Sequence, residues 1–222
     1  MTYLRYAIYA VPSGDLGARG AQWLGWDIRN GSPAPEVANR DPAWVKRPQK
    51  YGFHATLCAP FRLSETATLT GLRAHFSQFC ATQTAPFALP LQIQRIGSFF
   101  ALCFNNPVKD VTDLANAAVT EFHPFRAPLN AQEFERRAPH RLNEKQRVYL
   151  EKWGYPHVFE HFKFHITLTG PIKADQQDDV TARLTTHFGH TLGTDYSPSQ
   201  ICLVGERADG RFECLECADL ST

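Results

Sequence analysis

Apolar and polar positions divide the first half of the chain into short strands and helices. The helical spacing of apolar residues predicts helices over 15–26, 66–82 and 108–122. Apolar runs rich in aromatic and branched residues predict strands over 4–11, 53–60, 87–96 and 99–104. Gly97-Ser98 joins the last two strands and predicts a hairpin. Residues 29–48 are dense in proline, asparagine and aspartate, so we expect a loop there.

The second half repeats this order after an irregular segment. Residues 123–143 are rich in proline and arginine with weak periodicity, which indicates an insertion, and Asn143 is placed to cap a helix over 144–153. A strand over 162–169, a helix over 178–188 and two strands over 199–206 and 212–216 then follow.

Each half therefore has a strand, a helix and a hairpin in the same order. We expect a pseudo-duplicated α+β protein with antiparallel sheets and flanking helices. The predicted organisation is a single bilobal domain over 1–222, with lobe 1 at 1–122, an insert at 123–156 and lobe 2 at 157–222.

Composition predicts a globular protein, and the near-neutral net charge fits a small anionic ligand better than a long nucleic acid. Of its 222 residues, 43% are hydrophobic and 20% are charged, which is enough apolar material for a core. The net charge is only +1, which argues against a protein that covers many phosphates of a long nucleic acid. No apolar run approaches the roughly 20 residues of a membrane helix, so no membrane partner is expected.

The six cysteines predict neither a zinc site nor a disulfide framework. One CxxC pair, Cys214 and Cys217, has no second pair to complete a zinc site. The N-terminus meets Arg5 within its apolar stretch and then a Pro-Ser-Gly turn, unlike a signal peptide. We therefore expect reduced thiols and a cytoplasmic protein.

The strongest chemical signal is a repeated pair of residues. His54 and Thr56 stand two apart in the first half, as His165 and Thr167 do in the second. Alternate residues of a strand share a face, so each strand presents an imidazole beside a hydroxyl. If a pseudo-twofold axis relates the halves, both pairs meet in one cleft.

Two imidazoles in one cleft can act as a general base and a general acid. Threonine hydroxyls can donate hydrogen bonds to the non-bridging oxygens of a phosphate, so this chemistry requires no metal and no cofactor. A single strand histidine is ordinarily a core residue. Two copies at matching places favour a functional role.

The segments HATL at 54–57 and HITL at 165–168 resemble the paired HxTx signatures of the two-histidine (2H) phosphoesterase superfamily. That resemblance implies a bilobal fold of two antiparallel sheets backed by helices, with both motifs in the central cleft. The opening RYAIYAVP, the segments YGFHATL and FHITLTGP, and the inserted region resemble more closely the branch encoded near carbon–phosphorus lyase genes and linked to phosphonate metabolism.

An alternative hypothesis is that His165 of the second motif is a metal ligand instead of a catalytic residue. His157, His161 and His165 are spaced four apart and would share one face of a helix, as zinc or iron ligands can. The residues around His165 favour a strand instead, so we expect no metal, with His161 at the mouth of the cleft.

Basic and aromatic residues near the motifs are candidates for binding substrate. Lys50 precedes the first motif, and guanidinium groups of the insert suit paired phosphate oxygens. Tyr51 either lines the cleft or packs in the core. The arginines of the insert are Arg126, Arg136, Arg137 and Arg141. Of these, Arg137 and Arg141 are the candidates for binding substrate phosphate, and the alternative is a solvated loop of scattered charge.

The functional hypothesis is a metal-independent hydrolase that opens a small cyclic phosphodiester with His54 and His165. The resemblance implies a cyclic phosphate sugar from phosphonate breakdown as substrate. Two alternatives stay open. One is an enzyme that acts on the 2′,3′-cyclic phosphate of a short RNA end, and the other is a non-catalytic module that binds a nucleotide or phosphorylated metabolite.

Overall fold

A computed structural model describes residues 3–136 and 142–221. Within those residues the chain forms seven α-helices and eight strands. The helices are α1 (Gly14–Leu24), α2 (Pro42–Val45), α3 (Leu69–Thr82), α4 (Lys109–Phe122), α5 (Ala131–Arg136), α6 (Glu144–Trp153) and α7 (Gln177–Phe188). The strands are β1 (Tyr6–Ala10), β2 (Ala55–Phe61), β3 (Leu89–Ile96), β4 (Phe99–Phe104), β5 (Ile166–Thr167), β6 (Asp195–Tyr196), β7 (Gln200–Glu206) and β8 (Phe212–Asp219).

The strands form one antiparallel sheet in the order β6-β3-β4-β5-β2-β1-β7-β8. The α+β class with antiparallel strands and flanking helices is therefore confirmed. The hairpin β3–β4 from the first half pairs with β5 from the second, and the hairpin β7–β8 pairs with β1. Two four-stranded halves of the sheet meet where β2 pairs with β5. The division into lobes at 1–122, 123–156 and 157–222 stays a prediction.

Several predicted element boundaries need correction. The strand expected over 162–169 shortens to β5, because a 3-10 turn at Phe159–His161 precedes it and the amides of Leu168 and Thr169 both donate to the Phe100 carbonyl. The expected loop over 29–48 contains α2, which Asp41 caps and Pro42 begins. The insert contains α5, which was not predicted. Strand β6 was also not predicted, because no apolar run marks its two residues in the sequence.

Strand β1 is buried on both faces and separates two hydrophobic clusters. Tyr6, Ile8 and Ala10 face the larger cluster, which contains the apolar sides of α1, α3, α4 and α7. Ala7 and Tyr9 face a smaller cluster that includes Trp26 and Phe212. This double burial explains why the strand is an unbroken apolar run instead of an alternating pattern.

Helix α1 contacts the chain beside both motifs. A Cβ atom at Gly20 would lie 2.0 Å from the ring of Phe53, so only glycine lets the helix approach this closely. Trp23 Nε1 donates a hydrogen bond of 2.8 Å to the carbonyl of Leu168. One helix thus holds the residue before His54 and the residue after Thr167.

Two of the six cysteines depart from the expected reduced state. Cys202 and Cys217 are partners across β7 and β8 and form a disulfide. The expectation of free thiols is therefore wrong for this pair, because the strand register brings together two residues distant in sequence. Cytoplasmic localisation stays a prediction. Among the described residues, the helices lack the length and apolar composition that spanning a bilayer requires.

We expect Gly20→Ala to lower the free energy of unfolding by about 1–3 kcal/mol, because the added methyl overlaps the Phe53 ring. Urea denaturation measures this change. The matched control is Gly71→Ala in α3, whose Cβ meets nothing closer than Thr68 Oγ1 at 3.3 Å, and we expect it to change stability by less than about 1 kcal/mol. Equal stabilities for the two variants would contradict the close packing of α1.

Candidate active site

The central strands present both motifs on the same face of the sheet. Ala55 pairs with Ile166, and both side chains are buried in the larger cluster. Continuing this antiparallel register by one residue in each direction places His54 opposite Thr167 and Thr56 opposite His165. Each imidazole therefore stands across from the hydroxyl of the other motif, and all four side chains are half-buried.

The His54 ring is oriented by hydrogen bonds on both nitrogens. Nδ1 lies 2.9 Å from the carbonyl oxygen of Gly52, and Nε2 lies 3.1 Å from Thr56 Oγ1. A carbonyl only accepts, so Nδ1 carries the proton and Nε2 accepts from the threonine hydroxyl. Gly52 has a φ of 71°, a conformation that suits glycine and turns its carbonyl toward the ring.

The His165 ring is oriented by the same kind of hydrogen bond from Nδ1 to a backbone carbonyl. Its Nδ1 lies 2.8 Å from the carbonyl oxygen of Lys163, again two residues before the histidine. The protonated nitrogen is thus Nδ1 in both rings, which leaves Nε2 of each able to accept a proton. The Phe99 ring lies 6.0 Å from that of His165 at an angle of 52°. The repeated motif therefore produces a repeated tautomer.

The surroundings of the two imidazoles differ. The His54 ring stacks on Tyr9, with ring centroids 3.7 Å apart. Burial lowers the pKa of His54 to about 4. The hydrogen bond that its Nδ1 donates to the Gly52 carbonyl opposes the shift, and nearby His165 adds to it. Burial also lowers the pKa of His165, which the Lys163 carbonyl opposes. At neutral pH, His54 is therefore a neutral proton acceptor.

Two cavities flank the four motif residues. His54 and Thr167 line a cavity of about 250 Å³, and Thr56 and His165 line a larger one of about 650 Å³. Arg47 and Phe99 line both cavities. A ligand that spans the motif face can therefore occupy both spaces at once.

Arg47 is a site residue that the sequence reasoning missed. The amide of Gly170, just after the second motif, donates to the carbonyl of Trp44 in α2 at 2.6 Å. This bond brings the residues after α2 beside the motif face. The sequence signal for Arg47 is the basic run KRPQK at 46–50, which contains both Arg47 and Lys50. Tyr9 was also missed, because only the pairing of β1 with β2 places it against His54.

The other predicted binding residues have different positions. Tyr51 lines the smaller cavity with its ring 6.4 Å from that of His54, and His161 lines the larger cavity. Lys50 is exposed and lines neither cavity. Arg137 and Arg141 lie outside the described residues. The roles of these residues in binding stay predictions.

The histidines considered for a metal do not share a helix. His161 ends a 3-10 turn and His165 lies on extended chain, although both line the larger cavity with His157. A different cluster has the spacing of a metal site. Among residues 3–136 and 142–221, the cysteines Cys202, Cys214 and Cys217 have sulfur atoms that all lie within 4.8 Å of one another. Two of those sulfurs form the disulfide, so the trio cannot offer three thiolates in this state.

Comparison with known proteins identifies two curated relatives. The chain is 35% identical over 184 residues to a protein named ribose 1,5-bisphosphate phosphokinase PhnN from Janthinobacterium sp. (strain Marseille), an alignment that covers 79% of this chain and 41% of that protein. It is 31% identical over 196 residues to the protein of that name from Laribacter hongkongensis (strain HLHK9), covering 85% and 45%. The chain thus spans less than half the length of these curated relatives.

Among solved structures, the chain aligns with E. coli LigT complexed with NADP+ at 13% identity and a TM-score of 0.49, over 100% of both chains. The family described as "Protein of unknown function (DUF1045)" matches residues 56–213, a segment that contains Thr56, His165 and Thr167. Since this match covers well over half of the sequence, the chain belongs to the DUF1045 family.

Proposed function

We propose that this protein is a phosphodiesterase that hydrolyses a small cyclic phosphodiester by acid–base catalysis with His54 and His165. The observation that carries the proposal is the pairing of Ala55 in β2 with Ile166 in β5. Continued by one residue in each direction, this register sets each imidazole opposite the hydroxyl of the other motif. Both Nδ1 atoms are held by backbone carbonyls, so each ring has its Nε2 available for proton transfer.

His54 is the general base of the proposed reaction. Its depressed pKa keeps Nε2 unprotonated at neutral pH. As water attacks phosphorus, one of its protons passes to His54 Nε2 while the hydroxide oxygen forms the new P–O bond. The Thr56 hydroxyl, which donates to His54 Nε2 in the free protein, is then released to donate to a phosphate oxygen.

His165 is the general acid. In its protonated form it gives a proton to the ring oxygen that leaves phosphorus, so the broken P–O bond ends as an alcohol on the same molecule. The hydroxyls of Thr56 and Thr167 stabilise charge that develops on the non-bridging oxygens. The product is a phosphate monoester, and exchange with solvent returns both imidazoles to their starting protonation states.

The names of the relatives support a cyclic ribose phosphate as the substrate. This chain lacks the GxxxxGK[ST] loop with which many kinases hold ATP, so the phosphokinase activity in those names is not carried over to it. Opening a 1,2-cyclic phosphate on ribose 5-phosphate at the bond to O2 yields ribose 1,5-bisphosphate. The proposed hydrolysis would thus supply the compound in the relatives' name, consistent with the resemblance to phosphonate-linked proteins.

We expect His54→Ala and His165→Ala each to lower kcat by about 10²–10⁴-fold, because each removes one proton-transfer group. The assay uses EDTA-treated protein with nucleoside 2′,3′-cyclic phosphates, ribose 1,2-cyclic phosphate and a cyclic-ended RNA oligomer. Affinity for the best substrate should stay within about tenfold of native. The control is His190→Ala, an exposed histidine beside Asp15 that should leave kcat unchanged.

Several results would overturn this assignment. Loss of activity in EDTA with recovery in zinc would contradict metal-free chemistry. Preference for the RNA oligomer would favour the RNA-end enzyme. Binding that protects against thermal unfolding, without turnover of any substrate, would favour the non-catalytic module.

The two histidines should respond differently to the leaving group. A p-nitrophenyl phosphodiester expels an anion that is stable without protonation, so it needs no general acid. On this substrate, we expect the fraction of the native rate that His165→Ala keeps to be at least about tenfold larger than the fraction that His54→Ala keeps. Equal recovery by the two variants, or greater recovery by His54→Ala, would reverse or remove the assigned roles.

The pH dependence of kcat/KM should be bell-shaped with its maximum below pH 6.5. The rate rises as His54 loses its proton near its pKa of about 4, and it falls as His165 loses the proton it must donate, at a pKa below the usual 6.5. Steady-state kinetics from pH 3.5 to 9 would test this. A maximum above about pH 7 would contradict the assigned protonation states.

A further inference from the structure

The two cavities beside the motif face differ in chemistry as well as in size. Backbone and small or aromatic side chains line much of the smaller one, including Pro48, Gly52, Gly170 and Pro171. The larger one carries basic groups beyond His165: His157, His161 and Lys163, with Arg47 at the boundary. The pseudo-symmetric motifs therefore open into unequal surroundings: Lys163 and two further histidines lie on the His165 side, and Arg47 borders both cavities.

Two cationic side chains that line the larger cavity have no ion-pair partner within the described chain. Lys163 and Arg47 make no ion pair with a carboxylate of residues 3–136 or 142–221. Glu160, the carboxylate that lines the cavity, pairs with Lys145 and accepts from the Tyr149 hydroxyl. The Lys145 contact is the main reason that its pKa is lowered to about 2.

Two polar atoms of the cavity residues also lack hydrogen-bond partners among the described residues, although His161 Nε2 lies 3.9 Å from Glu160 Oε1. The atoms His161 Nε2 and Asn116 Oδ1 are buried, yet neither makes a hydrogen bond to the described residues. Burying a polar atom without a hydrogen bond is costly, so such atoms mark a place where a ligand or solvent can complete the bonding. In addition, burial is the main reason that the pKa of His157 is lowered, and Coulombic interactions with His161, His165 and Lys163 add to the shift.

We propose that the larger cavity binds a phosphate monoester carried by the same molecule whose cyclic phosphodiester is opened at the motif face. This inference rests on the proposed function and specifies its substrate class. A phosphate dianion accepts strong hydrogen bonds from an ammonium and a guanidinium, here Lys163 and Arg47. A volume of about 650 Å³ falls within the usual size of small-molecule sites and accommodates a sugar ring with its phosphate.

A doubly phosphorylated substrate also gives the catalytic residues a direction. The cyclic phosphate alone can enter between two His–Thr pairs of the same composition in either orientation, whereas a second phosphate in the basic cavity orients the molecule one way. Binding energy from this remote group can then position the reacting phosphorus between His54 and His165. The subsite thus selects substrates and fixes which ring oxygen leaves.

The test compares matched substrates with and without the second phosphate. Cytidine 2′,3′-cyclic phosphate and ribose 1,2-cyclic phosphate are each assayed with and without a 5-position phosphate. We expect native kcat/KM to favour the phosphorylated member by at least about tenfold, and Lys163→Met to lower this preference by about tenfold. The control Lys109→Met, an exposed lysine paired with Asp113, should keep the native preference.

Binding of a phosphorylated sugar to the native protein tests the subsite without the Lys163→Met variant, in case that variant does not fold. Titration calorimetry on native protein should show binding of ribose 5-phosphate at least about tenfold tighter than binding of ribose. Equal affinities, or equal kcat/KM for the matched substrates, would overturn the subsite and leave the proposed function standing. No turnover of any cyclic phosphate would instead overturn the proposed function, and preferential binding of ribose 5-phosphate would then support the subsite alone.

Discussion

The candidate site depends on the antiparallel pairing of β2 with β5. Because side chains alternate along a strand, a slip of one residue between the two strands would turn one motif into the core while the other stayed on the site face. The pairing is short, with Ala55 opposite Ile166, so contacts elsewhere must hold it. Helix α1 supplies them, through Gly20 against Phe53 and through the hydrogen bond from Trp23 to Leu168.

Backbone support makes the two imidazoles alike, and packing makes them different. Each ring donates from Nδ1 to the carbonyl two residues earlier, a local geometry that the motif carries with it. Tyr9 stacks on His54 alone, and the large basic cavity adjoins His165 alone. The proposed division into base and acid therefore arises from the neighbours of each motif, since its own residues are the same in both halves.

Elements with strong local signals were predicted well from the sequence. Asn143 caps α6 with a reciprocal bond to Gln146, and the hairpin at Gly97 joins β3 and β4 as expected. Short elements were not predicted well. Strands β5 and β6 have two residues each, and their position depends on pairing with strands that are distant in the sequence. The disulfide between Cys202 and Cys217 follows from the register of two strands, which the spacing of cysteines does not reveal.

The sequence by itself determined the α+β class, the repeated order of elements and the four residues of the paired motif, because periodicity and local composition record them. Only the tertiary structure decided that β2 meets β5, that Arg47 lines both cavities and that Tyr9 stacks on His54. The physical reason is that these contacts join residues far apart in the chain. Their formation depends on how strands pair and helices pack, which no local pattern specifies.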